Sequence, residues 1–518
     1  MLISALCTML NLASAQQASP PSAGLTLIEA VRTTLEKQPF INLQKEEVTV
    51  KRGATVQAGG PFDLLLQSGL TQTHQNTPLD SVEAASFGVN SLNELSNVTD
   101  YKLLVSKLFR NGVSVASTYE AIRNANNSFD PGVNTALLNF AVTVPLARGR
   151  GQQAVDATEL AAAKEVDATL LDLNQLISQL LANTASSYWN LVAANELLEI
   201  TADAEKRGQI YVDNVKAFIE ADHVPRSDLN VAAANLADRS SNRIAAQQQV
   251  AAARQQLALD MGIAADQMFR VPDPSQTFPN GEDQPLPSDN PNALQYYLDQ
   301  SLSHRADYLA SRRRVDESQI LLSAAKNGLL PQINLTANAG YEGLAAGRAY
   351  GGFFSAAASN VNGPNASIGI TYSFPFANSS ARGQMTQAIA SKHQNELQAV
   401  QVSRNISSAL VTATEALRNA ILRLGKARES VEFFRAAIEG ERERYRVGIG
   451  SVVDVLTVED RLTNSLTNRV QAQLAYALSL VQFRFATGTI VAPDQPVHAI
   501  DPQTLTTLPF DPNVGGGA

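Results

Sequence analysis

The sequence predicts a mixed α and β protein built from two similar halves, each combining a few short strands with one very long helix. Three observations lead to this prediction. Apolar and polar residues alternate in several short segments, two stretches of more than sixty residues contain no proline, and several motifs recur at a fixed distance along the chain. Alternation with a period of two is typical of strands, whereas long proline-free stretches rich in Ala, Gln, Glu and Leu are typical of helices.

The chain begins with an apolar segment that predicts a signal peptide over residues 1–15. This segment ends in Ala13-Ser14-Ala15, the small-x-small pattern that precedes signal-peptidase cleavage, and polar sequence follows. A buried N-terminal helix is the alternative interpretation. No later segment has the roughly 18 consecutive apolar residues of a membrane-spanning helix, so an exported chain that crosses a membrane would do so with strands.

Several motifs occur twice and in the same order. Asp228 and Asp454 each stand near the start of a helical run and lie 226 residues apart, and Gly262 and Gly488, which close these runs, have the same separation. A Pro-rich segment separates the two halves. The predicted domains are a signal peptide (1–15), a first structural repeat (16–268), a connector (269–293), a second structural repeat (294–490) and a flexible tail (491–518).

The predicted strands carry apolar side chains on one face and small polar side chains on the other. Residues 138–144, 333–341 and 367–376 all alternate in this way. A soluble sandwich gives this pattern, and so does a transmembrane barrel strand of about ten residues. The predicted signal peptide and the long Gly-, Ser- and Asn-rich loops favour the barrel.

The two proline-free stretches, 151–218 and 382–447, predict helices on the order of 100 Å long at 1.5 Å per residue. A helix of this length is typical of a coiled coil or a helical wall, because it is too long to lie on a compact domain. The apolar residues of each helix are spread around its circumference. This distribution favours a single layer of helices that contact each other along their edges, with water on both sides of the layer.

The composition argues against several classes of function. The chain has 518 residues and a net charge of −9, without the basic stripe that a nucleic-acid-binding protein needs. The five histidines are scattered without metal-ligand spacing, and the one cysteine lies in the predicted signal peptide. The segment 149–154 imitates a dinucleotide-binding turn, but its strand has one polar face, so we interpret it as a strand-to-helix corner. We therefore expect no catalytic residues, no cofactor and no metal.

The second long helix is followed by a short break and then by another helix. Gly448 and Gly450 are expected to end the long helix, because glycine adopts the left-handed cap conformation at little cost. Ser451 is the expected N-cap of the next helix, with Asp454 at its third position beside the positive end of the helix dipole.

In the first half, Pro225 and Ser227 are expected to make the same kind of break before Asp228. Each break would then be the tip of an antiparallel helical hairpin. A plain alternative for both aspartates is that they are helix-start carboxylates with no further role.

Taken together, these segments resemble the TolC-like outer-membrane efflux protein family over nearly the whole mature length. The resemblance is carried by residues 304–336, 144–152, 444–462 and 477–490. Each motif is loose by itself, but their order, duplication and spacing are specific.

The resemblance implies a trimeric transmembrane β-barrel in the outer membrane, continued into the periplasm by a long α-helical coiled-coil barrel built from two internal repeats. Such a homotrimer would be the passive exit duct of a tripartite efflux or type I secretion system. Its partners would be outer-membrane lipid, a periplasmic adaptor protein and an inner-membrane pump.

The resemblance also gives roles to the two breaks. The expected adaptor-docking tip comprises Val447, Gly448, Ile449, Gly450 and Ser451, with Pro225 and Ser227 at the other break. The first-half counterpart of 447–449 is Ala221-Asp222-His223, which departs from the family pattern. The expected periplasmic gate and ion-selectivity residues are Asp228, Asp454 and Tyr445.

One segment predicts strands in addition to the two in each half. Residues 101–122 predict an additional hairpin, turned at Arg110-Asn111-Gly112. Two strands per half would give a trimer twelve strands, and the hairpin would either raise the number to eighteen or lie outside the barrel wall. We expect twelve.

Two other functions stay open from the residues alone. The first is a structural or adhesive coiled-coil protein of the envelope without a pore, which does not require the duplication. The second is a periplasmic enzyme on a long-helix scaffold, which the missing catalytic set disfavours.

Overall fold

The computed structural model describes residues 24–86, 88, 92–127, 132–221, 225–280, 291–347, 355–359, 361–491 and 505–507. The predicted signal peptide, most of the predicted tail and part of the connector lie outside these residues. The chain divides into two compact units. Unit 1 comprises residues 1–42, 174–305 and 406–518, and unit 2 comprises 43–173 and 306–405.

The first half begins with two helices, α1 (Leu27–Lys37) and α2 (Pro39–Gly59). Thr26 caps α1 in a capping box with Glu29, and Tyr188 donates its hydroxyl to the carbonyl of Leu25 at 3.0 Å. A single 3-10 turn, Gly60–Phe62, then leads into the sheet.

Unit 2 contains a six-stranded antiparallel sheet in which the strands lie in sequence order. Its strands are β1 (Leu65–Pro78), β2 (Asn93–Leu108), β3 (Ser114–Asn126), β4 (Val133–Pro145), β5 (Gln332–Ala346) and β6 (Val361–Ser373). A short helix, α3 (Ser81–Ser86), follows β1, and a 3-10 turn, Ala356–Ala358, precedes β6. The strands predicted over 138–144 and 333–341 are confirmed, whereas the one predicted over 367–376 ends at Ser373, two residues before Pro375.

The predicted additional hairpin forms, but the expectation of four strands per chain is wrong. The hairpin is β2–β3, and it lies between β1 and β4 inside the sheet. Gly112 in its turn has a φ of +93°, and a Cβ there would lie 2.1 Å from the carbonyl oxygen of Gly149. The turn therefore needs glycine both for its backbone conformation and for its packing against the strand-to-helix corner.

On β4 the apolar side chains are more exposed than the alternating small or polar ones. Leu138, Phe140 and Val142 of β4 are exposed, whereas the alternating Asn139 and Ala141 are half-buried. On β6 the side chains of Ile368, Ile370 and Tyr372 are 76%, 68% and 66% exposed. A soluble sheet buries its apolar face, so this sheet has the opposite arrangement.

The predicted long helices are present. In the first half α4 (Gln152–Val155) and α5 (Ala157–Glu220) follow the sheet, and then come α6 (Ser227–Asp260) and a 3-10 segment, Ala265–Arg270. In the second half α7 (Pro291–His304) and α8 (Ala306–Gly328) precede β5, and α9 (Ser379–Arg446) and α10 (Val452–Ala486) follow β6. Gly149 and Gly151 have φ values of +78° and +89°, as expected for a corner between β4 and α4.

Buried leucines on α9 supply much of the core of unit 1. Leu410, Leu417 and Leu424 lie seven residues apart, and they pack with Tyr476, Leu480 and Phe483 of α10. A repeat of seven is the spacing of a coiled-coil seam.

Half-buried ion pairs join two helices of unit 2. Arg314 of α8 donates to Glu165 of α5 at 3.2 Å and to Asp172 at 2.5 Å.

None of the helices in the described part of the chain has the length and the apolar character that a membrane span requires.

Candidate functional site

The second break begins where α9 ends, at Arg446. Gly448 has a φ of +78°, and its N–H donates to the carbonyl of Tyr445 at 3.0 Å. The N–H of Ile449 donates to the carbonyl of Arg444, also at 3.0 Å. These two bonds form a Schellman motif, which satisfies the last carbonyl groups of a helix and needs a left-handed residue. The predicted structural role of Gly448 is confirmed.

Gly450 does not have the predicted left-handed conformation, since it is absent from the residues with positive φ. Its N–H donates to the carbonyl of Arg444 at 3.1 Å. A Cβ there would lie 3.2 Å from Oε1 of Glu441 and 3.3 Å from the backbone nitrogen of Tyr445. The predicted left-handed conformation of Gly450 is therefore wrong, and the glycine instead leaves room where the chain passes close to the end of α9.

Ser451 caps α10, as predicted. Its Oγ accepts from the N–H of Asp454 at 3.1 Å, and the carboxylate of Asp454 accepts from the N–H and Oγ of Ser451 at 3.1 and 2.7 Å. These bonds from Ser451 hold the pKa of the Asp454 carboxyl below its usual range, with a smaller contribution from the charge of Arg444. The carboxylate of Asp454 therefore stabilises the start of α10.

The first break is built differently from the prediction. Ser227 is the first residue of α6, and the N-cap is Arg226, whose side chain makes no capping bond. The N–H of Asp228 donates to the carbonyl of Pro225 at 3.1 Å. Because this turn already starts at Pro225, Ser227 falls inside the helix, and its hydroxyl donates to Oδ1 of Asp228 at 3.2 Å. Of the first-half tip, Asp222 and His223 lie outside the described residues.

Tyr445 is close to the first break. Its ring packs edge-on against that of Phe218, with 5.9 Å between ring centroids. Burial raises the pKa of the Tyr445 hydroxyl, and the negative charge of Asp228 adds to this effect. Tyr445 also joins an apolar cluster that contains Val215 of α5 and Val452 of α10. Two of the three predicted gate residues, Asp228 and Tyr445, are therefore within electrostatic range of each other.

The outer surface of the second break is apolar. Val447, Ile449 and Val453 are 56%, 74% and 56% exposed. The second break thus exposes three aliphatic side chains within seven residues of sequence.

A buried ion cluster behind this break was missed from the sequence. Glu459 of α10 is fully buried. Its carboxylate accepts from Nε of Arg207 at 2.9 Å and from Nη2 of Arg442 at 2.6 Å. Burial opposes the charged form of Arg442, but its bonds to Tyr211 and Glu459 outweigh this and raise the pKa of the guanidinium. The cluster ties α10 to α5 and α9.

The sequence did contain a signal for this cluster. Val452, Val455, Glu459, Leu462 and Leu466 are spaced by three or four residues, so Glu459 occupies a core position of an otherwise apolar stripe. A lone glutamate in such a stripe implies a buried cation. The partners were not predictable, because Arg207 lies 252 residues away.

A second ion pair ties α6 to the same helices. Arg239 is buried, with 5% of its surface exposed. Its guanidinium donates to the carbonyl of Ala204 and to Oδ1 of Asp460, both at 2.9 Å. In the described residues, no group of three or more His, Cys, Asp or Glu side chains is placed to hold a metal ion.

Both the sequence and the fold of this chain resemble those of known outer-membrane proteins. Residues 297–489 match the family model of the outer membrane efflux proteins. The chain is 22% identical over 323 residues to the outer membrane protein TolC of Escherichia coli strain K12, covering 60% of this chain and 62% of TolC. The chain thus spans less than two thirds of the length of this curated relative.

Two solved structures have a similar fold. The outer-membrane channel OprN has a TM-score of 0.65 and 17% identity, covering 89% of this chain and 90% of OprN. The CmeC outer membrane channel of Campylobacter jejuni has a TM-score of 0.66 and 16% identity, covering 91% of this chain and 87% of CmeC. The predicted resemblance to TolC-like outer-membrane efflux proteins and the predicted outer-membrane location are confirmed.

Proposed function

We propose that this chain, similar to the outer membrane efflux proteins, is the outer-membrane exit duct of a tripartite efflux or type I secretion system. The observation that carries the proposal is the sheet of unit 2, in which the apolar side chains of β4 and β6 are exposed, while the small and polar side chains between those of β4 are half-buried. Lipid covers the apolar face of such a sheet, and water fills the space on the polar side. The alternative, an envelope protein without a pore, draws no support from the comparisons.

The duct is a homotrimer with a transmembrane β-barrel and a helical tunnel built from two internal repeats. The element order supports the repeats, because strands, a long helix, a break and a shorter helix follow one another in both halves. The edges of the sheet support assembly, because every residue but one of β1 and every residue but one of β6 is exposed. Backbone groups on such edges need partners inside a membrane.

The second break docks a periplasmic adaptor protein, which couples the duct to an inner-membrane pump. The residues of the docking tip are Val447, Gly448, Ile449, Gly450 and Ser451, with Pro225 and Ser227 at the other break. Support comes from the exposed aliphatic side chains of this break and from the rigid Schellman motif and capping box that hold them.

Asp228, Asp454 and Tyr445 form the periplasmic gate and set its ion selectivity. Three copies of each aspartate in a trimer would place six carboxylates around the narrow end, where they would attract cations and repel anions. The contact between Tyr445 and the first break supports a role in closing this end, because it joins the two breaks.

Fractionation of native membranes followed by single-channel recording in planar bilayers tests the proposal. We expect the chain in the outer-membrane fraction, as a trimer, with cation-selective conductance. Recovery as a soluble monomer from periplasmic extracts would contradict the proposed location and assembly. A membrane-bound trimer without conductance would favour the envelope protein without a pore.

A further inference from the structure

We propose that the hairpin β2–β3 is a pore-widening insertion. With it, the barrel of the proposed trimer has eighteen strands and encloses an aqueous channel of porin width. The strand number of the barrel rests on the proposed trimer, whereas the six strands per chain are a feature of the structure itself. It implies that the outer-membrane segment passes bulky cargo and does not set the size limit of the duct.

The hairpin is part of the wall, because it separates the two strands that would otherwise be neighbours. β1 pairs with β2 along its whole length, from Leu65 opposite Ser106 to Pro78 opposite Asn93. β3 pairs with β4 from Ser114 opposite Thr143 to Asn124 opposite Val133. A hairpin outside the wall would leave β1 and β4 paired with each other.

The apolar face of the sheet continues through the hairpin. Directly opposite residues of antiparallel strands share a face. One such row joins Leu103, Tyr119, Leu138 and Tyr341, and the next joins Val105, Ser117, Phe140 and Ala339. On the other face, one row joins Leu104, Thr118, Asn139 and Gly340. The hairpin therefore has the same lipid-facing and water-facing sides as the rest of the sheet.

The turn of the hairpin is fixed to the strand-to-helix corner. Nε and Nη2 of Arg110 donate to the two carboxylate oxygens of Glu159 in α5, both at 2.8 Å. The guanidinium also lies 4.9 Å from the ring centroid of Phe62, at the start of the sheet. The N–H of Gly151 donates to the carbonyl of Asn111 at 3.1 Å. A hairpin held in this way at both neighbouring junctions is a fixed element of the wall.

The two edges of the sheet can pair with each other in adjacent copies. β1 and β6 have 14 and 13 residues, and in a sheet of six antiparallel strands they run in opposite directions. Six strands are too few for one chain to close on itself, because about eight are needed before the interior just holds its own side chains. Closure therefore requires several copies, each of which adds six strands.

The width of the barrel follows from the strand number. With strands about 4.8 Å apart and tilted by about 40°, the backbone radius is about 12 Å for twelve strands and about 18 Å for eighteen. The cross-section is then roughly twice as large. Barrels of 16 to 18 strands leave an aqueous channel, whereas a side-chain layer of about 5 Å narrows a twelve-stranded one to a radius of about 7 Å.

Imaging of the full-length trimer in lipid nanodiscs by electron cryomicroscopy is the direct test. We expect eighteen strands around the pore. Twelve strands, with β2 and β3 outside the wall, would overturn the widening and leave the proposed function intact. A chain that forms no trimer would overturn both.

A thiol-labelling experiment tests the width in native membranes. Asn139→Cys places a thiol on the polar face, and Phe140→Cys places one on the apolar face as a matched control. The one natural cysteine lies in the predicted signal peptide, so each variant carries a single mature thiol. Maleimide-linked polymers of graded size are added from outside, to the full chain and to a variant that lacks residues 93–132.

For Asn139→Cys in the full chain, we expect a polymer of about 10 Å radius to react within a few-fold of the rate of a small maleimide. In the deletion variant, whose β1 and β4 can pair antiparallel, the same polymer should react at least about tenfold more slowly. Equal rates in a trimeric deletion variant would overturn the widening. If the deletion variant does not assemble, the strand count of the full chain decides.

Discussion

The two breaks in the long helices occupy similar places in the two halves, but their local structures differ. The second has a Schellman motif, a capping box and a buried glutamate about two turns beyond it. At the first break, the side chain of the N-cap residue makes no capping bond, and the position equivalent to Glu459, 226 residues earlier, is occupied by Ala233. The second break is therefore a rigid structure defined by its own hydrogen bonds, whereas the first depends on Tyr445 and the cluster around it.

The largest expected effect comes from removing the buried glutamate. Glu459→Ala leaves Arg207 and Arg442 without their shared partner, which should lower the free energy of unfolding by about 3 kcal/mol. Denaturant unfolding of the purified protein measures it. Glu443→Ala is the control, because it removes only an exposed ion pair with Arg446, and we expect no measurable change. Equal effects of the two substitutions would show that the buried cluster does not brace the second break.

The next largest effect concerns the left-handed cap. Gly448→Ala should cost about 1–2 kcal/mol, because a Cβ is strained at a φ of +78°. Export should fall while trimer assembly is retained. Gly440→Ala, inside α9 with open space around its Cβ, is the matched control and should be neutral or stabilising. Normal export by Gly448→Ala at normal expression would contradict docking at this tip.

A smaller effect distinguishes the capped break from the uncapped one. Ser451→Ala should cost about 1 kcal/mol, whereas Ser227→Ala should cost almost nothing, because Ser227 makes no cap. Hydrogen exchange of the first turns of α10 and α6, followed by mass spectrometry, measures both. A larger acceleration of exchange in α6 by Ser227→Ala than in α10 by Ser451→Ala would mean that our assignment of the caps is wrong.

The cap of α10 should also depend on pH. The hydrogen bonds from Ser451 make the pKa of the Asp454 carboxyl lower in the folded protein than in the unfolded chain. Its stabilising contribution is therefore present above the unfolded pKa and is lost as the pH falls through the folded pKa. Exchange in the first turn of α10, corrected for intrinsic rates, should accelerate in that acidic range. Asp454→Asn should abolish this pH dependence, and a variant that keeps it would point to another titrating group.

The weakest prediction concerns ion selectivity, since it rests on the proposed trimer. Asp228→Asn together with Asp454→Asn should reduce the cation-to-anion permeability ratio severalfold, as measured by reversal potentials in bilayers. The single variants Asp228→Asn and Asp454→Asn measure how much each aspartate contributes to the selectivity. Asp454 already bonds to its own cap, so Asp228→Asn should account for the larger part. Unchanged selectivity in the double variant would leave both aspartates as helix-start carboxylates.

The features that depend on local sequence were predictable. Gly448, Ser451 and the turn at Arg110–Gly112 all follow from the conformations that a few neighbouring residues prefer. The N-cap of α6 was predicted incorrectly, because the hydrogen bond from Asp228 to Pro225 shifts the helix start by one residue. The partners of Glu459 and the place of the hairpin in the sheet depend on residues distant in the sequence, and no local pattern contains that information.

The open edges of the sheet have a consequence for biogenesis. A single chain has two long strands with unpaired backbone groups, which neither a membrane interior nor the periplasm accommodates without cost. For the proposed trimer, we therefore expect insertion and subunit association in one coupled step, with an assembly rate that rises steeply with chain concentration. Before that step, the edges of β1 and β6 are the sites where a holding chaperone would prevent aggregation.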